Sequence, residues 1–126
     1  MIKLHRIHRK SSTLEGLYSS NVSENMHDSR DHPSPYDDSA LQKAGYDVIN
    51  DSTYYYGFIS FDQFRNWVYK DSWLRELDAE GYVLSIFEAE GIFGHTQAIA
   101  QIEDVDPIET FSLMELVDIP VHEKEL

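Results

Sequence analysis

Residues 10–53 constrain the fold most, because this stretch takes up more than a third of the 126 residues and shows no hydrophobic periodicity. It is rich in Ser, Asn, Asp and Gly, and it contains His32-Pro33-Ser34-Pro35. Proline keeps the residue before it out of the α region, so we predict a long loop, either mobile or functional. Only Leu41 to Tyr46 is predicted to form a helical turn, which ends at Gly45. The core must therefore come from the flanking regions.

The flanking regions carry strand signals. Residues 2–9 alternate between apolar and polar side chains, and residues 54–59 are aromatic and β-rich. Further strands are predicted at 82–88 and 95–102, with residues 91–94 as the turn between them. Short alternating or apolar runs bounded by glycine and polar residues are typical of strands.

One amphipathic helix is predicted over about 60–80. Ser60 and Gln63 have the spacing of a capping box, and Gly81 is placed to end the helix. The apolar positions behind the cap share one helical face and are Phe64, Trp67, Val68, Leu74 and Leu77. The segment 110–116 is predicted to be a short helix or a strand, with the helix favoured because Asp106-Pro107 offers a cap.

These elements predict an α+β fold in a single domain, residues 1–126. A small, mainly antiparallel sheet is packed by the amphipathic helix (about 60–80), and the long N-terminal loop spans 10–53. Two domains would each be too small to bury an adequate core.

The composition excludes several classes of protein. Cysteine is absent, which removes disulfides, thiol nucleophiles and Cys-based zinc sites. The sequence has no run of about 18 apolar residues and no apolar signal region after its first Met, so we expect no membrane span and a cytoplasmic location.

The net charge of −13 comes from 23 acidic and 10 basic residues. Such a surface repels nucleic-acid phosphates and anionic lipid and attracts basic proteins, although acidity can also serve solubility alone. The charge is unevenly spread: residues 1–10 carry +4, whereas residues 71–126 carry −12. We therefore expect partner binding through the acidic C-terminal half, at Asp71, Glu76, Asp78, Glu80, Glu88, Glu90, Glu103 and Asp104.

The residues give no strong signal for catalysis. His5 and His8 are predicted to point to opposite sides of a strand, and the His27–His32 spacing matches no metal motif, so no metal site is predicted. No nucleophile elbow occurs, and Glu88 is the only paired carboxyl set up for desolvation. The aromatic residues around 54–58, with Trp67 and Trp73, indicate a core and a protein-binding patch. We predict no catalytic residue and no cofactor.

The order of short motifs resembles that of small phage- and prophage-encoded proteins. The motifs are Lys3-Leu4-His5-Arg6-Ile7, Tyr18, His32-Pro33-x-Pro35-x-Asp37, Gly57-Phe58-x-Ser60-x-x-Gln63-x-Arg65-x-Trp67, Leu77-x-x-x-Gly81-Tyr82-x-Leu84 and Gly94-x-x-Gln97-Ala98-Ile99. This resemblance implies a phage protein acting inside a bacterial cell. Together with the charge it leads to the main hypothesis, an acidic anti-defence (anti-CRISPR-like) inhibitor of a basic nucleic-acid-binding complex.

The sequence is more loosely similar to the ADP-ribosyltransferase-like fold. That resemblance implies Arg6 as anchor, Ser60 before the helix and Gln97 in the late-strand position, around an NAD-like nucleotide. Gln97 departs from the catalytic Glu of that fold, so the alternative hypothesis is an enzyme, a pseudo-enzyme or a nucleotide-binding pocket. A homo-oligomer with a structural role is the third hypothesis.

Overall fold

A computed structural model describes residues 1–28, 30–49 and 51–119. Its strands are β1 (Ile2–Arg9), β2 (Ser12–Gly16), β3 (Tyr55–Gly57), β4 (Tyr82–Ala89), β5 (Gly91–Phe93), β6 (Ala98–Ala100) and β7 (Glu109–Ser112). Its α-helices are α1 (Ser39–Lys43), α2 (Tyr46–Ile49), α3 (Phe61–Trp67) and α4 (Asp71–Ala79). Short 3₁₀ turns lie at Leu17–Ser19, Val22–Asn25, Pro35–Asp37 and Leu113–Leu116.

The strands form two antiparallel sheets, which confirms the α+β prediction. One sheet has the order β2-β1-β4-β7 and the other has the order β3-β6-β5. β1 and β4 pair along their full lengths, from Ile2 opposite Ala89 to Arg9 opposite Tyr82. The sheets meet at His5 and Phe58, whose backbone N–H groups each donate to the other's carbonyl, at 2.7 and 2.8 Å.

Successive side chains of a strand point to opposite faces of the sheet. The central strands β1 and β4 are buried on both faces, because each face is covered by a core cluster. On one face α3 and α4 pack against β1 and β4, with Ile7, Phe64 and Leu84 in the main core cluster. On the other face Leu4 and Phe87 pack against the three-stranded sheet. Because β1 lies between these two cores, its polar side chains also point alternately to one side and the other.

The prediction of one long loop over 10–53 was wrong. The described part of this segment folds into β2, α1, α2 and three 3₁₀ turns, and α1 ends just before Gly45 as predicted. Leu17, Val22, Met26 and Leu41 are all buried. Each short turn contributes only one or two apolar side chains to the core, so no helical or strand period arises along the sequence.

The predicted helix over about 60–80 is two helices, with a break at residues 68–70. The Ser60 cap is confirmed, since the Gln63 N–H donates to Ser60 Oγ at 3.0 Å. Buried Arg65 stabilises the break, because its guanidinium donates to the Val68 carbonyl at 2.7 Å and to Asp71 Oδ1 at 2.8 Å. Gly81, with φ of 89°, ends α4 in the left-handed conformation that favours glycine.

Two predictions near the C-terminus were also wrong. The predicted turn at 91–94 is largely strand β5, and the segment 110–116, for which a helix was favoured over a strand, is β7 followed by a 3₁₀ turn. Asp106-Pro107 starts no helix, because the Ile108 N–H donates to the Ile86 carbonyl at 2.8 Å and leads into β7. The cap lies instead at Ser112, in a capping box with Glu115. In the described ranges, no helix is both long and apolar enough to cross a membrane.

Candidate functional site

The described residues enclose a cavity of about 750 Å³, here called the Arg6 cavity. Its walls come from β1, from the folded segment 16–37 and from β3. Most of its lining is apolar or aromatic, with a few polar groups. Lining residues include Arg6, Tyr18, Met26, His27, His32, Pro33, Asp37, Tyr54, Tyr55, Tyr56, Phe58, Trp67 and Gln97. The combination of size and lining is typical of small-molecule sites.

Arg6 is buried, at 5% exposure, at the β1 side of the cavity. Its guanidinium donates to the carbonyls of Thr13 (2.9 Å), Tyr56 (2.6 Å) and Leu14 (2.9 Å). Among the residues described, no carboxylate forms an ion pair with it. Burial lowers the pKa of Arg6 to about 10, against a smaller opposing effect of Tyr55. The cavity wall therefore holds a buried positive charge that is balanced only by neutral dipoles.

His32 also lines the cavity, and its side chain is fully buried. Its Nε2 lies 2.7 Å from the Trp67 carbonyl and its Nδ1 lies 3.1 Å from Asp28 Oδ2. The Asp31 N–H lowers the pKa of Asp28 most, followed by His32. The rings of Trp67, Tyr69 and Trp73 surround His32 at 5.0–5.9 Å.

Asp38 joins the start of α1 to the turn between β5 and β6. Its buried carboxylate accepts from the N–H groups of Leu41 (3.1 Å), His95 (3.0 Å) and Thr96 (2.8 Å), and from the Thr96 hydroxyl (2.8 Å). Burial, the largest single influence, raises the pKa of Asp38, but these hydrogen bonds together lower it below its usual value. Gly94 must be small here, because a Cβ would lie 2.5 Å from both carboxylate oxygens.

The residues predicted from the ADP-ribosyltransferase-like resemblance are only partly brought together. Arg6 and Gln97 both line the cavity, and the Gln97 amide donates to the Pro33 carbonyl at 3.0 Å. Ser60 is not among the lining residues, and its hydroxyl caps α3. The structure therefore offers two of the three positions to one ligand.

The predicted acidic residues lie in two groups. Glu76 and Asp78 lie in the C-terminal half of α4, and Glu80 is the residue that follows the helix. The Glu80 carboxylate also accepts from the Asn21 N–H at 3.2 Å. Asp71 pairs with Arg65 at 2.8 Å. Glu88 and Glu90 lie at the other end of β4, roughly 20 Å away at about 3.3 Å per strand residue. The eight carboxylates therefore do not form one continuous patch.

The second group is extended by the turn after β6. The Gln101 N–H donates to the Glu90 carbonyl at 2.9 Å, which brings the following turn beside β4. Residues 102–105 form a tight turn closed by the Val105 N–H and the Ile102 carbonyl, and it exposes Glu103 and Asp104. Two further exposed acids lie before and at the start of β7. We call this group the acidic end: Glu88, Glu90, Glu103, Asp104, Asp106 and Glu109.

None of the carboxylates of the acidic end forms an ion pair with a described residue. Lys3 lies opposite Glu88 in the β1–β4 register, yet no N–O contact within 4.0 Å joins them. Asp106 and Glu109 were not among the predicted residues, because only the pairing of β7 with β4 brings them to this end.

The histidines of β1 stabilise the fold and do not form a candidate active site. His5 and His8 point to opposite faces of β1 as predicted, towards Phe61 and Phe87 respectively. His8 Nε2 lies 2.7 Å from Ser85 Oγ, but Ser85 is fully buried, so this pair has no access to a substrate. Across the described ranges, no group of three or more His, Asp or Glu side chains could hold a metal ion.

Sequence reasoning missed the residues that the segment 10–53 contributes to the cavity, above all Tyr18 and His32. The Tyr18 hydroxyl accepts from Trp67 Nε1 at 3.1 Å and donates to the Met26 carbonyl at 2.9 Å. Tyr18 and His32-Pro33 belong to the ordered set of motifs given in the sequence analysis. Their place in that set was the available sequence signal for these two residues.

The fold and the cavity define a small two-sheet α+β protein whose cavity is lined largely, though not wholly, by its own N-terminal third. The chain belongs to the bacteriophage T4 Y00F protein family, whose sequence model matches residues 2–114. No curated protein and no solved structure matches it. The resemblance to phage-encoded proteins is thus confirmed, whereas none of these comparisons supports the resemblance to the ADP-ribosyltransferase-like fold.

Proposed function

We propose that this phage protein is an anti-defence inhibitor. Its acidic end docks against the basic nucleic-acid-binding surface of a bacterial defence complex, such as a CRISPR effector, in the cytoplasm of the host. The observation that carries the proposal is the set of six exposed carboxylates with no ion pair to a described residue. These charges are available to a partner, whereas that of Asp71 is already used by Arg65.

The electrostatics favour such a partner. Lysine and arginine side chains that bind phosphates also attract closely spaced carboxylates, and opposite potentials accelerate the encounter. A net charge of −13 adds a long-range field of the same sign. Binding of this kind weakens steeply as salt screens the charges, since the Debye length is only about 8 Å at physiological ionic strength.

The test is inhibition of DNA binding by a purified CRISPR effector, measured by fluorescence anisotropy at low and high salt. The charge-reversed variant Glu103→Lys/Asp104→Lys should lose inhibition. The matched control Glu24→Lys/Asp47→Lys changes two exposed acids elsewhere, with the same change in net charge, and should keep it. Equal loss of inhibition in both variants would show that inhibition depends only on the net charge of the protein. That result would contradict docking through the acidic end. Absence of inhibition by the wild type across a panel of such effectors at low salt would contradict the whole proposal.

The alternative is an ADP-ribosyltransferase-like enzyme or pseudo-enzyme that binds an NAD-like nucleotide. The observation in its favour is that Arg6 and Gln97 line one cavity. The neutral Gln97 amide cannot supply an anionic catalytic group, and Ser60 is not a lining residue. A nucleotide-binding pocket is therefore the form of this alternative that we retain. Thermal stabilisation by NAD would support it.

A further inference from the structure

The charge of Arg6 has no counter-charge in the structure. Three of the five guanidinium N–H groups donate to the carbonyls of Thr13, Leu14 and Tyr56. These carbonyls are neutral, and no described carboxylate pairs with the side chain. A buried charge is costly unless an opposite charge compensates it. An anionic group in the cavity would provide that compensation.

The geometry of Arg6 suits an oxyanion. The three carbonyls hold the guanidinium plane in one orientation, so little side-chain entropy remains to be lost on binding. One N–H on each of Nη1 and Nη2 is not used by these three bonds. Phosphate and carboxylate oxygens are the acceptors that a guanidinium binds most strongly, through charge-assisted hydrogen bonds.

The remaining walls suit a planar aromatic group. Tyr54 and Tyr55 are half-buried, and Tyr18 and Tyr56 are partly exposed at the rim. The Tyr55 ring also lies against Arg6, with 5.4 Å between its centroid and the guanidinium carbon. Aromatic side chains stack on nucleobases with little dependence on sequence. The Gln97 side chain adds a polar group to the lining.

We propose that the Arg6 cavity binds a nucleoside monophosphate, with the phosphate on Arg6 and the base among the tyrosine rings. This site is separate from the acidic end, and it deepens the nucleotide-binding alternative by naming a ligand class. The cavity volume of about 750 Å³ falls in the range of small-ligand sites, roughly 300–1,000 Å³.

The test uses the full chain and the four ribonucleoside 5′-monophosphates, with thermal unfolding and ¹H–¹⁵N NMR as readouts. At least one monophosphate should raise Tm and shift the amide signals of Gly16, Leu17 and Gly57, which line the cavity. The matching nucleoside lacks the anion and ribose 5-phosphate lacks the base, so each should bind at least about tenfold more weakly.

The variant Ser19→Trp is designed to fill part of the cavity while Arg6 itself is unchanged, because Ser19 is an exposed lining residue whose side chain makes no described hydrogen bond. It should weaken binding by at least about tenfold. Ser72→Trp, on the exposed side of α4, is the matched control and should bind as the wild type does.

Several outcomes would overturn the proposal: no response to any monophosphate, equal binding of ribose 5-phosphate, or equal loss in both tryptophan variants. The Glu103→Lys/Asp104→Lys variant should keep nucleotide binding, because the acidic end contributes no residue to the cavity. Failure of the inhibitor proposal and failure of this one are therefore distinguishable.

Discussion

Replacing Asp38 by asparagine tests how the folded segment 10–53 is fastened to the sheets. The Asp38 carboxylate accepts four hydrogen bonds, three from backbone N–H groups and one from the Thr96 hydroxyl. The amide of asparagine keeps one accepting oxygen. Its NH₂ group would face donors on Leu41 and His95 or on Thr96, and at least one buried donor would be left without a partner.

The size of the effect follows from these bonds. Hydrogen bonds to a charged group are worth about 1.5–3 kcal/mol each, and an unsatisfied buried donor costs about 1–3 kcal/mol. Because such terms are not additive and one face of the amide still accepts, we expect Asp38→Asn to lower the free energy of unfolding by about 2–4 kcal/mol. Asp37→Asn is the matched control, since Asp37 is exposed, and it should change stability by less than about 0.5 kcal/mol.

Urea unfolding followed by tryptophan fluorescence measures both variants. The pKa of Asp38 lies below its usual value in the folded state, so its contribution is present at neutral pH and is lost as the pH falls through that lowered pKa. The difference between wild type and Asp38→Asn should therefore narrow below about pH 4. A difference below about 0.5 kcal/mol at neutral pH, or one that does not depend on pH, would refute this account of the hydrogen bonds.

Three further substitutions test other parts of the site. His32→Ala should cost about 2–4 kcal/mol in urea unfolding, because it removes two hydrogen bonds and leaves a void among Trp67, Tyr69 and Trp73; a cost below about 1 kcal/mol would contradict the contribution of these hydrogen bonds and ring contacts. Gly94→Ala should lower stability by about 1–3 kcal/mol, since the new Cβ meets the Asp38 carboxylate, and an unchanged Tm would argue against that contact. Ser60→Ala should lower the free energy of unfolding by about 1 kcal/mol, because the helix cap is lost, and it should leave any nucleotide-induced shift in Tm unchanged. Loss of that shift would indicate that Ser60 contributes to nucleotide binding after all.

The sequence was sufficient to predict the regular elements whose side chains repeat with a clear period. β1 and β4 alternate or run apolar over eight residues each, and Ser60 with Gln63 marks the start of α3. The break between α3 and α4 could not be predicted, because it depends on Arg65 reaching the carbonyls of Val68 and Ile119. Ile119 is far from Arg65 in sequence, and no local pattern indicates the contact.

The cavity was beyond prediction for a related reason. His32 and Asp38 are polar residues in a polar stretch, which favours a solvated loop. Both are buried because their partners, Trp67 and Thr96, come from distant parts of the chain. The same holds for the acidic residues: their exposure follows from composition, whereas their separation into two groups follows from the length of β4.

The central place of β1 has a consequence for synthesis on the ribosome. β1 is translated before its full-length partner β4, which is complete only at Ala89, so at about 5–20 residues per second the edge of β1 that pairs with β4 stays unpaired for roughly 4–16 s. An unpaired strand is a template for aggregation, and lysine on an edge is a common protection. Lys3, Arg6, Arg9 and Lys10 place four positive charges on this one segment, so nascent copies on neighbouring ribosomes repel one another while they wait.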